Sequence, residues 1–272
     1  MEFPKTLIKR NGYIERIKPF MRKNIAKVLT GQRRVGKSFL LYQLMDQLLV
    51  EEPDANIIYI NFEDFAFSHI QTAEDMHAYI MSKFRKEKYN YIFVDEIQEI
   101  VNFERVIRSL LLNENNDIYI TGSNAKMLSG ELATYLSGRY IEFSVYSLSY
   151  LEFLAFHKLE NNNESLYLYS RYGGLPYLIN LPLKDETVNE YLKSVYSTIV
   201  FRDVVSRYNL RNSSFLEKLV QFLSENIGNL FSAKNISDYL KSQHSTISVN
   251  QIQNYTCLLY TSPSPRDVEE SR

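Results

Sequence analysis

Eight residues near the start of the chain, Gly31-Gln32-Arg33-Arg34-Val35-Gly36-Lys37-Ser38, satisfy the pattern G-x-x-x-x-G-K-[ST]. Each residue type in that pattern has a physical task. The glycines let the backbone wrap closely around an anion, so that N–H groups converge on phosphate oxygens, and the positive end of a following helix adds to the field. The lysine reaches the β and γ phosphates, and the hydroxyl after it holds Mg²⁺. Lys37 is therefore a candidate phosphate-binding and catalytic residue and Ser38 a candidate metal ligand. Gly31, Gln32, Arg33, Arg34, Val35, Gly36, Lys37, Ser38 and Phe39 form the candidate nucleotide-binding segment.

Three further runs supply the rest of such a site. Tyr91-Ile-Phe-Val-Asp95-Glu96 is an apolar stretch ending in two carboxylates, the pattern of a buried parallel strand that delivers acids to its end. In P-loop nucleotide hydrolases a carboxylate so placed holds Mg²⁺, which assigns Asp95 to the metal; Glu96 is the candidate base that takes a proton from an attacking water. Asp117-Ile-Tyr-Ile-Thr-Gly122-Ser123-Asn124 closes another β-rich run on small polar residues, and Thr121, Ser123 or Asn124 could position that water or touch the γ-phosphate. Ser137-Gly138-Arg139 precedes the run Tyr140 to Tyr146. Arg139 could stabilise charge on the transferred phosphoryl group, in its own subunit or in a neighbour's.

Such residues need a scaffold that brings strand ends together. Strands are expected at 26–30, 56–62, 91–95, 118–122 and 140–145, separated by helices near 38–50, 72–86 and 102–113. That alternation predicts an α/β fold, a P-loop-type parallel sheet sandwiched by helices with its site along one edge. After Phe153 the β signal fades, and residues 164–211 read as helices broken at Gly173-Gly174-Leu175-Pro176, their many tyrosines packing as core. Residues 214–255 suggest a partial winged helix-turn-helix, with helices at 215–226, 232–241 and 248–255. The expected organisation is an ATPase domain at 1–153, a helical lid-like segment at 154–211, an incomplete winged-helix-like segment at 212–256 and a tail at 257–272.

The loop, the Val94-Asp95-Glu96-Ile97-Gln98 strand end, Thr121-Gly-Ser-Asn124, Leu136-Ser-Gly-Arg-Tyr140 and Ser147-Leu-Ser-Tyr-Leu-Glu-Phe153 together resemble a large family of prokaryotic AAA+-type ATP-binding proteins that carry a C-terminal domain of unknown function. Tyr172-Gly-Gly-Leu-Pro-Tyr177, Tyr191 to Tyr196, Arg202-Asp-Val204 with Arg207, and Ile227 to Ala233 are similar to its helical segment. The resemblance covers roughly residues 5–255. It implies binding of ATP with Mg²⁺, hydrolysis, and coupling of the nucleotide state to a macromolecular partner of unknown identity; a homo-oligomer is compatible with it. The alternatives are a slow nucleotide-gated switch or adaptor and a DNA-binding regulator with little turnover. ATP rather than GTP rests on the resemblance alone.

Composition narrows the setting. With 45% hydrophobic and 23% charged residues the chain can build a sizeable core. It has no apolar stretch of the roughly 18 residues that would span a bilayer, and its basic start lacks the apolar core of a signal peptide. A cytoplasmic protein with no membrane partner is expected. One cysteine excludes an internal disulfide, and the four histidines have no metal-ligand spacing. The net charge of −1 hides an asymmetry, since eleven Lys or Arg and only two Glu fall in residues 1–38. A basic arm there could touch nucleotide or nucleic acid. Nucleic acid is nonetheless not favoured, because the last expected helix offers Asn250, Gln251, Gln253 and Asn254 but no Lys or Arg for phosphate contacts. The end, Cys257-Leu-Leu-Tyr-Thr-Ser-Pro-Ser-Pro-Arg-Asp267, resembles a tail common to unrelated truncated translations and is expected to have low order from about residue 258.

Overall fold

Alternating apolar side chains decide how the central strands are covered. The structure, a computed structural model, describes residues 7–123, 136, 138–199, 213–242 and 248–260. Five parallel strands, β1 (Ala26–Thr30), β2 (Asn56–Asn61), β3 (Asn90–Asp95), β4 (Asn116–Gly122) and β5 (Tyr140–Ser144), form a sheet in the order β2-β3-β4-β1-β5. Parallel neighbours cannot be joined by a tight turn, so helices fill the crossovers. These are α2 (Lys37–Glu51), α3 (Ala73–Ser82) and α4 (Phe103–Leu110), preceded by α1 (Asn11–Ile17).

Ala26, Val28, Ile92, Val94, Ile118 and Ile120 face one side and share a core with Met76, Ile80, Val106, Ile107 and Leu110 from α3 and α4. Leu29, Tyr91, Phe93 and Tyr119 face the other, against Ile14 and Ile17 of α1 and Leu40, Leu41, Leu44, Met45 and Leu48 of α2. Burial on both faces is why β1, β3 and β4 read as nearly continuous apolar runs. The edge strand β2 keeps a visible alternation. The strands fall within two residues of their expected positions, and α3 ends four residues early, at Ser82, with its first turn closed by a Thr72–Asp75 capping box.

The amino-terminal end of the sheet is locked by charge. Lys27 and Asp117, both fully buried, form an ion pair. The Lys27 ammonium also donates to the carbonyls of Lys23 (3.1 Å) and Ile25 (2.8 Å), while the Tyr119 hydroxyl and the Arg22 N–H donate to Asp117 at 2.8 and 2.7 Å.

The chain divides into two units at Asn180 and Leu181. Residues 154–180 therefore go with the sheet, not with the later helices as expected. They comprise the end of α5 (Tyr150–His157) and α6 (Asn163–Tyr172), followed by a strap at residues 173–176. The strap is fixed by a hydrogen bond from Leu148 N–H to the Gly174 carbonyl (2.7 Å), and a β-carbon on Gly174 would collide with the Leu148 carbonyl. The second unit holds α7 (Asp185–Thr198), α8 (Ser213–Glu225), α9 (Ala233–Ser242) and α10 (Val249–Tyr260). Phe215, Leu219, Phe222, Ile236, Leu240 and Ile252 make a small core shared by α8, α9 and α10. Helix α10 continues to Tyr260, past the point where order was expected to fade. Residues 201–211, 243–247 and 261–272, with the family-like Arg202-Asp-Val204, Arg207 and most of the expected tail, lie outside the described residues.

Candidate nucleotide site

The strand order explains how the site is collected. Because β4 lies between β1 and β3, the segment after β1 and the two acids at the end of β3 stand on either side of the end of β4. Thr121 and Ser123 thus sit between the loop and the carboxylates.

The loop needs its glycines at two places. Gly31 has φ +144°, and a β-carbon there would run into the Val145 carbonyl oxygen. Gly36 has φ +96° at the start of α2, and a β-carbon would lie 3.7 Å from the ring of Pro176 in the strap. Left-handed backbone of this kind is cheap only for glycine. Helix α2 begins at Lys37, one residue earlier than expected, so its free N–H groups open directly onto the loop.

The Lys37 side chain is buried and folds back over the loop. Its ammonium donates to the carbonyls of Gly31 (2.9 Å) and Gln32 (3.0 Å) and lies 3.8 Å from Glu96 Oε1. Burial lowers its pKa, opposed by the charges of Glu96 and Asp95. Ser38 stands near Asp95, where its hydroxyl favours the charged carboxylate. Arg33 pairs with Glu63 at 2.8 Å, Arg34 adopts φ +68°, and Val35 is buried. Phe39 is half exposed and meets Tyr42 edge-on, with ring centroids 6.0 Å apart.

Asp95 is fully buried at the end of β3. Burial raises its pKa, against the hydrogen bond from Thr121 and the nearby Ser38 hydroxyl, which favour the charged form. The Tyr59 hydroxyl stands 3.5 Å from its Oδ2 and 3.1 Å from the Tyr42 hydroxyl. Glu96 follows in left-handed backbone, φ +53°, which is costly for a residue with a side chain. Thr121 compensates: its hydroxyl donates to Asp95 and accepts the Glu96 N–H at 3.0 Å. The Glu96 carboxylate accepts from Ser123 Oγ (2.9 Å) and Gln98 Nε2 (2.5 Å).

Lys37, Ser38, Asp95, Glu96 and Ser123 are thus brought together, while Thr121 is spent on fixing the two acids and not on water. Asn124 lies outside the described residues. Arg139 is not brought to the group. Its carbonyl accepts from Ala26 N–H at the start of β1, and Tyr140 pairs with Ala26. At about 3.3 Å per residue that end lies roughly 16 Å from the loop, beyond the reach of an arginine in the same chain.

Sequence reasoning missed three participants, Gln98, Pro176 and Arg10, and named a fourth, Thr121, without its bridge to the acids. Gln98 was quoted only as part of a strand end, and Pro176 as a helix breaker. Arg10, in the basic arm, is buried with its guanidinium on the Val35 carbonyl (3.1 Å), and only its charge could be read beforehand.

Ser38 and Asp95, one hydroxyl and one carboxylate, are donors that would suit a small hard cation held beside phosphate. A dedicated cluster of three or more His, Cys, Asp or Glu is absent among the described residues, as such a site requires none.

Residues 23–154 match the family model of an AAA domain, and residues 163–269 match a domain of unknown function, DUF8612. An uncharacterized protein of Haemophilus influenzae is 36% identical over 262 residues, covering 94% of this chain and 65% of that protein. One from Methanocaldococcus jannaschii is 31% identical over 247 residues, covering 85% and 54% respectively. The chain therefore spans between about half and two thirds of these relatives. Among solved structures, the Aeropyrum pernix ORC1 protein in complex with DNA aligns with 95% of this chain and 85% of its own, at 11% identity and a TM-score of 0.44. No helix among the described residues is long and apolar enough to cross a membrane. On its sheet, its loop and the matched sequence, the chain carries an AAA domain at residues 23–154, joined to a domain of unknown function at residues 163–269.

Proposed function

We propose that this protein binds ATP with Mg²⁺ and hydrolyses it, coupling the nucleotide state to a macromolecular partner through its helical segments. One observation carries the reading: Glu96 stands 3.8 Å from Lys37 and is held by Ser123, beside the fully buried Asp95, so the groups that would bind phosphate, hold metal and accept a proton share one buried edge. Loop N–H groups and Lys37 would bind the phosphates, the lysine exchanging two backbone carbonyls for phosphate oxygens. Ser38 and Asp95 would hold Mg²⁺, which when bound neutralises charge on the β and γ phosphates. Glu96 would take the proton of the attacking water, and Ser123 orients it. In a homo-oligomer Arg139, exposed and remote from its own loop, would serve a neighbour's phosphates.

A slow switch is the second reading, and Gln98 favours it. A carboxylate oxygen that already accepts two hydrogen bonds has little room left to accept one from water, so turnover would wait for Gln98 to leave. The absence of Lys and Arg in α10 argues for a protein partner over DNA, whose binding draws on phosphate contacts. Phosphate release from Mg-ATP by the full chain, beside Glu96→Gln, tests the hydrolase. A loss of about 10²–10⁴-fold with nucleotide still bound is expected, and unchanged release in Glu96→Gln would remove the residue from the chemistry. Wild-type turnover that rises severalfold in Gln98→Ala would identify the switch.

A further inference from the structure

The N-terminal arm contributes one residue whose contacts all converge on the loop and its surroundings. Arg10 precedes α1 and lies outside the matched AAA domain, yet its side chain is only 4% exposed. Its Nη1 donates to the carbonyls of Val35 (3.1 Å) and Tyr146 (3.0 Å). Nε and Nη2 grip both oxygens of Glu152 at 2.7 and 3.0 Å, and Nη2 lies 3.4 Å from the Ser147 carbonyl. The guanidinium also covers the ring of Tyr13 at 4.6 Å, and the Tyr13 hydroxyl accepts the Tyr146 N–H at 3.0 Å. The arm itself is anchored to α2. Gln43 accepts the Arg10 N–H (3.0 Å) and donates to the Ile8 carbonyl (2.7 Å).

The Val35 contact has a directional consequence. In a trans peptide the C=O and the following N–H point in opposite directions. Holding the Val35 carbonyl toward Arg10 therefore turns the Gly36 N–H away from it, toward the inside of the loop where a phosphate oxygen would sit. Gly36, at φ +96°, has no side chain to resist another orientation, so this peptide needs an external hold. Only a planar, multiply donating cation can satisfy two carbonyls and both oxygens of a carboxylate at once. The carboxylate is fixed in turn, since Glu152 closes the capping box of α5 with Ser149. Burial alone would push the Glu152 carboxyl up, but the bonds from Arg10 and Ser149 hold it below the usual range.

We infer that Arg10 is a positioning residue for phosphate binding: it presets the Val35–Gly36 peptide so that the Gly36 N–H faces the bound triphosphate, and the working nucleotide site therefore begins ahead of the AAA domain. The inference rests on the nucleotide-binding reading above. Its test is made on the full chain with Arg10→Lys and Arg10→Ala, by titration with a non-hydrolysable ATP analogue and Mg²⁺, by steady-state turnover, and by amide hydrogen exchange without nucleotide. Arg10→Lys keeps the charge but loses the fork, which covers the case of an alanine variant that does not fold. The analogue should bind at least about tenfold more weakly in Arg10→Lys, the scale of one lost charge-assisted hydrogen bond, and KM should rise while kcat stays within about threefold, because the contact is made equally in ground and transition states. Exchange in residues 31–38 should accelerate while β3 and β4 keep their protection. A folded variant with wild-type affinity and wild-type exchange in residues 31–38 would overturn the inference. A wild-type protein that binds no nucleotide would defeat the reading of function, and the exchange comparison would still decide whether Arg10 sets the loop.

Discussion

The two ends of the sheet each bury a lysine beside a carboxylate, and they use the pair in opposite ways. At the amino-terminal end Lys27 and Asp117 are ion-paired and every remaining direction is filled by backbone carbonyls, Tyr119 and Arg22. At the carboxyl-terminal end Lys37 stands 3.8 Å from Glu96, held by carbonyls of its own loop, and its acids are tied to hydroxyls and an amide. A closed pair is a fastening, whereas a cation and a carboxylate kept apart by exchangeable partners leave room for a charged ligand between them. Burial depresses both lysines, so neither burial nor perturbed titration distinguishes the two ends. Geometry does.

The sharpest way to break this comparison is to exchange the fates of the two lysines. Lys27→Met should cost roughly 3–5 kcal/mol of stability by stranding Asp117, with nucleotide affinity of the folded protein unchanged. Lys37→Met should abolish detectable nucleotide binding and leave stability at neutral pH the same or higher, because a buried charge is removed. Denaturant unfolding and nucleotide titration on both variants check the pair, and a Lys37→Met protein that loses as much stability as Lys27→Met would erase the distinction. A smaller effect is expected from Thr121→Val, which leaves the Glu96 N–H without its acceptor and frees Asp95: a loss of about 1–3 kcal/mol, together with slower turnover, since the φ of +53° at Glu96 loses its clamp. Turnover at the wild-type rate would show that Thr121 only packs.

The smallest effect concerns pH. The folded pKa of Asp95 is raised above 3.8 by burial, so between the unfolded and folded values the native state holds a proton that the unfolded state has lost. Stability therefore falls as pH rises through that window, and the penalty is complete above the folded value. Asp95→Asn should match wild type below the window and exceed it in stability above, in the absence of divalent cation. Urea midpoints measured across the window check the sign, and an advantage that shrinks with rising pH would reverse it.

Most of the scaffold was legible because parallel strands buried on both faces leave long apolar runs, and because the loop pattern fixes where one of them ends. Strands β1 and β3 could be placed from such runs, and Lys37, Ser38, Asp95 and Glu96 followed from them. What stayed hidden depends on contacts distant in sequence. Arg10 meets Glu152 across 142 residues, and nothing local distinguishes it from the other cations of the arm. The break at residues 173–176 was legible but its packing was not, for a related reason: a Gly-Gly-x-Pro break looks the same whether it ends a helix into solvent or packs against the loop. The position of Arg139 required the register of β5 on β1, which no periodicity supplies.

The strand order also bears on the time at which the site can exist during folding. β1 reaches β4 only by closing a loop of about ninety residues, as the 90-residue separation of Lys27 and Asp117 records. Such long-range parallel pairing comes slowly, after its closure entropy has been met. Until β4 is seated between β1 and β3, neither Thr121 nor Ser123 can reach the acids, and a chain with only its loop and helix α2 formed offers phosphate donors without a metal site. If the site binds nucleotide as proposed, affinity is withheld from partly folded chains, and nucleotide would add its stabilisation to the finished fold alone, a signal that the sheet is complete.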